Sequence, residues 1–97
     1  MFLILLNYVK PLVVIEAHLD AHREFLKRHY ANGDFLLSGR QEPRTGGVIM
    51  ANAASRAEVE AIVQEDSFHR AGAAEYQIIE FLPTMAAESM QYLVTPA

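Results

Sequence analysis

The chain has 97 residues, of which 52% are hydrophobic, and its 8 basic and 12 acidic side chains give a formal net charge of −4. This length supports one domain, and the composition excludes a disordered or fibrous protein. The acidic balance argues against a nucleic-acid surface, which needs clustered lysine and arginine, and the absence of cysteine excludes disulfides, thiolate metal sites and a cysteine nucleophile.

The first predicted element is a strand over residues 2–9. It is a continuous apolar run that ends at Lys10-Pro11, a pattern typical of a central strand covered on both faces. Its apolar opening is too short for a signal peptide or a membrane span. We therefore expect no membrane association, and the lack of cysteine fits the reducing cytoplasm.

The second element is a helix predicted over residues 12–31. Its inward stripe has residues at spacings of three and four, namely Ile15, Leu19, His22, Leu26, and His29 or Tyr30. Asn32-Gly33 supplies a left-handed stop. His22 is the most informative residue of the chain, because a titratable imidazole on such a stripe is either a packed structural group or the working part of a site.

Residues 34–40 and 48–53 are predicted strands. The loop between them, residues 41–47, contains proline and two adjacent glycines, so we expect a hairpin. Ser55 is the predicted N-cap of a second helix, because Glu58 stands where a capping box requires it.

The second helix extends to about residue 65, and residues 66–72 break its periodicity. Residues 74–82 alternate in character, as expected for a final strand. We predict a single domain over residues 1–83 and a C-terminal tail, residues 84–97, with a faint helical pattern.

The predicted order βαββαβ is that of a ferredoxin-like α+β domain. Right-handed crossovers place both helices on one face of the sheet. The other face is left apolar, and in so small a domain it needs a partner. The pattern therefore predicts a homodimer.

Three segments carry a resemblance to a known family. They are Ala-His-Arg-Glu-Phe-Leu at residues 21–26, the run from His29 to Gly39, and Glu-Asp-Ser-Phe-His-Arg-Ala-Gly at residues 65–72. Together they are similar to the YCII-related (YciI-like) family over about residues 1–82. The resemblance implies a dimeric α+β barrel in which two sheets pack together. It also implies that a histidine of the first helix, here His22, faces an aspartate before the last strand, here Asp66.

A histidine and aspartate pair of this kind suits proton transfer. The carboxylate accepts from one imidazole nitrogen and leaves the other nitrogen able to take or give a proton. The resemblance implies a small cofactor-independent enzyme of lyase or isomerase type acting on a small cyclic or enolisable substrate. In the competing interpretation, the bond between His22 and Asp66 only closes the helix onto the last connection. The alternatives are a non-catalytic ligand-binding or regulatory homodimer, and a purely structural dimer or accessory subunit.

The chain departs from the family at two places that border the expected site. Arg40 follows Ser-Gly where the family usually has proline, and Ser67 stands between Asp66 and Phe68 where the family commonly has proline. Neither change removes a group that could do chemistry.

Five residues are predicted to contact a small-molecule substrate: Ser38, Gly39, Arg40, Arg44 and Phe68. Small residues at the end of the second strand let a ligand approach the backbone. The planar cation of Arg44 could bind a carboxylate or phenolate through two parallel hydrogen bonds. In the other interpretation Arg44 belongs to a hairpin tip held by a surface ion pair.

His18 and His22 are four residues apart and so share a helix face, a spacing that can chelate zinc, and Asp66 or Asp34 could serve as a third ligand. No glutamate lies between the two histidines as it does in zincins, and cysteine is absent. The family resemblance does not require histidine at position 18. We therefore expect neither a metal nor a cofactor.

Overall fold

The structure is a computed structural model that describes residues 1–95. Its elements in chain order are β1 (Phe2–Tyr8), α1 (Leu12–Ala17), α2 (Leu19–Ala31), β2 (Phe35–Arg40), β3 (Gly46–Ala51), α3 (Arg56–Val63), α4 (Ser67–Arg70), β4 (Ala74–Glu80) and a 3-10 helix (Glu88–Leu93). The predicted tail therefore contains one short helix, and its last two residues lie outside the described part. No helix within residues 1–95 is long and apolar enough to cross a membrane.

The four strands form one antiparallel sheet in the order β2-β3-β1-β4. The first and last strands of the chain are neighbours, and the hairpin β2-β3 lies on the other side of β1. This arrangement is the split pattern of a ferredoxin-like domain. The α+β ferredoxin-like prediction is confirmed.

The hydrophobic core lies between the sheet and the helices. Alternate residues of β1, Phe2, Ile4 and Leu6, are at most 1% exposed. The helices add large apolar side chains to the same cluster: Ile15, Phe25, Val59, Ile62 and Phe68. Helices thus cover one face of the sheet, as right-handed crossovers require.

The other face of the sheet is uncovered, and we call it the open face. The strand register places six apolar side chains on it: Leu3, Leu5, Leu37, Val48, Met50 and Ile79. Leu37 is 54% exposed and Ile79 is 39% exposed. The sequence predicted β1 as covered on both faces, whereas in the single chain Leu3 and Leu5 are only partly buried.

The helix predicted over residues 12–31 is broken at His18, which has φ −107° and ψ 3°. Its N–H donates to the carbonyl of Ile15, three residues back, so the chain tightens there and α2 starts afresh. The predicted stripe persists across the break, because Ile15 and His29 are buried. Phe25, which is 2% exposed, belongs to the core although the predicted stripe omitted it.

The segment between α3 and β4 contains a helical turn that the sequence did not predict. It is α4, and it is capped by Asp66, whose side chain accepts from the N–H of Phe68. The capping of α3 agrees with the prediction, since the Ser55 hydroxyl accepts from the N–H of Glu58. The Glu58 carboxylate in turn accepts from the N–H of Ala54, one residue earlier than in a standard capping box.

A bulge in β2 decides which side chains reach the helical side of the sheet. Phe35 pairs with Ala51 and Leu37 with Met50, so one residue of β2 is skipped in the register. A shift by one residue exchanges the two faces. Ser38 consequently lies beside the buried Ile49 on the helical side, and Leu37 lies on the open face.

Gly46 gives a direct test of the strand packing beside the hairpin. A Cβ there would lie 1.7 Å from the carbonyl oxygen of Leu6, whereas a Cβ at Gly39 would meet nothing within 4 Å. We expect Gly46→Ala to lower the free energy of unfolding by about 1–3 kcal/mol or more, because backbone must move. Gly39→Ala, the matched control, should change it by less than about 0.5 kcal/mol. Urea denaturation checks both, and equal losses would contradict this packing.

Candidate active site

A cavity of about 620 Å³ lies between the helices and the β2-β3 side of the sheet. Six of the residues predicted to form the site line it: His22, Ser38, Gly39, Arg40, Arg44 and Phe68. They come from α2, β2, the hairpin loop and α4, so the fold brings distant segments together. Asp66 does not line the cavity and has no exposed surface.

Asp66 is held at the junction of three elements. Its Oδ1 accepts from the N–H of Phe68 at 3.2 Å, which caps α4. Its Oδ2 accepts from the hydroxyl of Tyr76 on β4 at 2.6 Å. A buried carboxylate is costly unless donors surround it, and these contacts supply them.

His22 provides the remaining donor. Its Nδ1 lies 2.7 Å from Oδ1 of Asp66, and its ring stacks on Phe68 with 4.3 Å between the ring centres. The side chain keeps 12% of its surface exposed. When Nδ1–H donates to the carboxylate, the neutral ring has Nε2 as its acceptor. Nε2 has no hydrogen-bond partner among residues 1–95.

Tyr76 is a site residue that the sequence analysis missed. Burial, the negative charge of Asp66 and the hydrogen bond to it all raise the pKa of the Tyr76 phenol far above its usual value. The hydroxyl therefore stays protonated and donates to Asp66. The alternation of β4 put Tyr76 on one side of a strand, but it gave no sign of a polar contact ten residues upstream.

His29 shows what a structural histidine looks like in this fold. Its side chain is 7% exposed, and it has a carboxylate at each ring nitrogen: Asp34 is 2.9 Å from Nδ1, and Glu65 is 3.2 Å from Nε2. His29 has both ring nitrogens in use, whereas His22 uses one and lines a cavity.

The two departures from the family pattern have different surroundings. The hydroxyl of Ser67 donates to the carbonyl of His18 at 3.0 Å and so ties α4 to the break between α1 and α2. Arg40 is 68% exposed, and its Nε donates to Glu42 at 2.9 Å. Ser38, next to this arginine, forms a hydrogen bond with the hydroxyl of Tyr30.

No group of three or more histidine, cysteine, aspartate or glutamate side chains within residues 1–95 is placed to hold a metal ion. His18 lies at the junction of α1 and α2. Its spacing from His22 alone therefore does not make a metal site in the described chain. Independence from metals stays a prediction.

The chain is thus a small α+β domain with a split antiparallel sheet, helices on one of its faces, and a histidine held by a buried carboxylate beside a cavity. The chain belongs to the YCII-related domain family, whose model matches residues 1–82. The family prediction is confirmed. The match ends just before the predicted domain boundary at residue 83, which no comparison tests. A comparison with curated proteins found no match.

One solved structure with the same fold is 5-chloro-2-hydroxyhydroquinone dehydrochlorinase from Burkholderia phenoliruptrix, in complex with 2,5-dihydroxybenzoquinone. The two chains have 21% sequence identity and a TM-score of 0.71, and the match covers 86% of this chain and 95% of that one. At this identity the likeness shows the fold. That relative is an enzyme, and it binds a small ring compound.

The raised pKa of Tyr76 predicts how stability depends on alkaline pH. The unfolded phenol ionises near its ordinary pKa of about 10, while the folded phenol stays protonated, so stability is fully present below pH 10 and falls above it. We expect Tyr76→Phe to be less stable at neutral pH by about 1.5–3 kcal/mol, because a hydrogen bond to a buried carboxylate is lost. Above about pH 10 the stability of Tyr76→Phe should fall less steeply with pH than that of the parent protein. The two slopes should differ by up to about 1.4 kcal/mol per pH unit.

Urea denaturation from neutral pH to pH about 11 measures this difference. Tyr92→Phe is the matched control, since Tyr92 is 76% exposed, and it should follow the parent protein at every pH. Parallel curves for the parent and Tyr76→Phe would show that the phenol ionises equally in both states.

Proposed function

We propose that the protein is a small enzyme in which His22 moves a proton and Asp66 orients it. The observation that carries the proposal is that Nδ1 of His22 is bound to Asp66, while Nε2 has no partner among residues 1–95 and the ring lines a cavity. A positioned base of this kind typically contributes about 100-fold to 10,000-fold to a rate. Asp66 is buried, so it acts on His22 rather than on a substrate.

The proposed chemistry is a lyase or isomerase step on a small cyclic or enolisable compound. Nε2 takes a proton from a ring hydroxyl or from a carbon next to a carbonyl, and Asp66 stabilises the imidazolium that forms. In an elimination the electron pair that the proton leaves behind forms a new double bond, and the leaving group departs as an anion from a saturated ring carbon. In an aromatic substrate that carbon first takes up a proton as the ring converts to its keto tautomer. In an isomerisation the proton returns to another atom. No redox step is needed, so the proposal includes independence from cofactors and metals.

The relative with the same fold supports this substrate class, since it is a dehydrochlorinase seen with a quinone. The proposed contacts for such a ring are Ser38, Gly39, Arg40, Arg44 and Phe68, which line the same cavity as His22. A cytoplasmic location remains part of the proposal. The main rival is a module that binds a ligand there without turning it over.

His22→Gln and Asp66→Asn separate catalysis from packing. Glutamine keeps a donor for Asp66 but offers no base, so we expect chloride release from 5-chloro-2-hydroxyhydroquinone to fall about 100-fold to 10,000-fold with little loss of stability. In Asp66→Asn the amide N–H₂ donates to Nδ1 and favours the wrong imidazole tautomer. The rate of chloride release should therefore fall by the same order of magnitude. Initial rates and thermal melting are measured for both variants.

His29→Gln is the comparison variant. His29 lies between Asp34 and Glu65 and does not line the cavity, so this change should lower thermal stability and leave the rate per folded molecule unchanged. Unfolding of the His22 and Asp66 variants at much lower temperature, with an unchanged rate per folded molecule, would make the pair structural. Binding of 2,5-dihydroxybenzoquinone without any turnover by the parent protein would favour the ligand-binding module.

We also propose that the protein is a homodimer that buries the open face. The support is the row of apolar side chains there, with Leu37 54% exposed and Ile79 39% exposed. Contiguous apolar surface of this kind marks an interface, and a second copy presents the same surface about a two-fold axis.

Light scattering at low micromolar concentration should give the mass of two chains. Leu37→Glu should shift the protein towards the monomer, because it places a charge on the open face. Val13→Glu is the control, since Val13 is 74% exposed on α1 and outside the open face. A stable monomer of the parent protein would contradict the dimer.

A further inference from the structure

The wall of the cavity carries charge opposite to that of the whole chain. Three arginines line it, Arg23, Arg40 and Arg44, and Glu16 is the one carboxylate among its lining residues. The chain as a whole has a net charge of −4. Positive groups gathered in a concave wall raise the local concentration of anions. Proton transfer by His22 does not by itself require them.

Arg44 is the least exposed of the three arginines. It is 30% exposed, against 60% for Arg23 and 68% for Arg40. Within residues 1–95 each of them contacts one carboxylate: Arg23 contacts Asp20, Arg40 contacts Glu42, and Arg44 contacts Glu16. Nη1 of Arg44 donates to Oε1 of Glu16 at 3.3 Å. A guanidinium has five N–H donors in a planar fork, so this contact leaves most of the fork for another pair of oxygens.

The rest of the wall suits a flat apolar body. Leu19 and Leu26 line the cavity with partly buried side chains. The His22 ring also lines it, stacked on the buried Phe68 with 19° between the ring planes. An aromatic ring can pack against such a surface. The cavity therefore joins an apolar wall, a histidine nitrogen and a partly buried arginine.

We propose that the cavity selects a planar ring compound with an ionised hydroxyl or carboxyl group, and that Arg44 binds this charge by exchanging Glu16 for the ligand. This inference rests on the proposed function in that both use the same cavity, but charge recognition does not depend on proton transfer. Arg23 and Arg40 lie at more exposed positions and add attraction at longer range.

The test compares two quinones of the same ring size by calorimetric titration near neutral pH and at low ionic strength. 2,5-Dihydroxybenzoquinone has acidic hydroxyls that ionise, and its dimethyl ether, 2,5-dimethoxybenzoquinone, has none. We expect the parent protein to bind the dihydroxy compound at least about tenfold more tightly, as charge-assisted hydrogen bonds allow. Arg44→Gln should weaken its binding about tenfold to 100-fold and leave the binding of the dimethyl ether unchanged.

Two further variants check the assignment. Glu16→Gln removes the competing carboxylate and should strengthen binding of the dihydroxy compound about twofold to fivefold, the range of an exposed ion pair. Lys27→Gln makes the same change of charge as Arg44→Gln on a residue outside the cavity, where Lys27 contacts Glu24 at 3.3 Å. It should leave both affinities unchanged.

Equal affinity of the parent protein for the two quinones would overturn the inference, and so would an equal effect of Arg44→Gln and Lys27→Gln. Displacement of the dihydroxy compound by inorganic phosphate at equal concentration would mean an unselective anion site and would also overturn it. His22→Gln distinguishes this inference from the proposed function, because it should lower chloride release about 100-fold to 10,000-fold and keep the preference for the ionised quinone. If the parent protein prefers the ionised quinone but turns over no substrate, the proposed enzymatic function is contradicted and the inference about Arg44 is not.

Discussion

The Asp66 carboxylate has no exposed surface and lies where α4, α2 and β4 meet. The arrangement of these elements depends on supplying it with hydrogen-bond donors. The Asp66 carboxylate accepts hydrogen bonds from the backbone N–H of Phe68, the hydroxyl of Tyr76 and Nδ1 of His22. Removing an ion from water costs several kcal/mol unless such donors replace the water. Each donor comes from a different element, so the requirement of one buried group fixes α4 against β4 and α2. The same requirement orients the imidazole beside the cavity.

This dependence explains why a structural and a functional interpretation of His22 are hard to separate in principle. The bond to Asp66 both closes the fold and sets the tautomer, and either role would select the same two residues. The distinguishing feature is the second ring nitrogen. In His29 the second nitrogen, Nε2, lies 3.2 Å from Glu65, and only 7% of the side chain is exposed. In His22 it remains available next to a cavity whose wall is rich in arginine.

The sequence was sufficient for the element order, because strand alternation and helical spacing are local properties of the chain. It also placed His22 on the inward stripe, and the family resemblance supplied its pairing with Asp66. It did not predict Tyr76, since a contact between strand and loop leaves no periodic signal. The break at His18 was missed because the apolar spacing continues across it. The core role of Phe25 was missed because its stripe lies beside the one that the spacing favoured.

The bulge in β2 is a further feature that pattern reasoning could not provide, and it links the two sides of the sheet. Because one residue is skipped, the side chains of Ser38 and Arg40 reach the helical side and line the cavity, while the side chain of Leu37 lies on the open face. β2 is an edge strand of the sheet and pairs with β3 on one side only. A second copy packed on the open face would hold Leu37 in place and, through the same backbone, the residues of the cavity wall. The proposed dimer would then support the geometry of the site as well as cover an apolar surface.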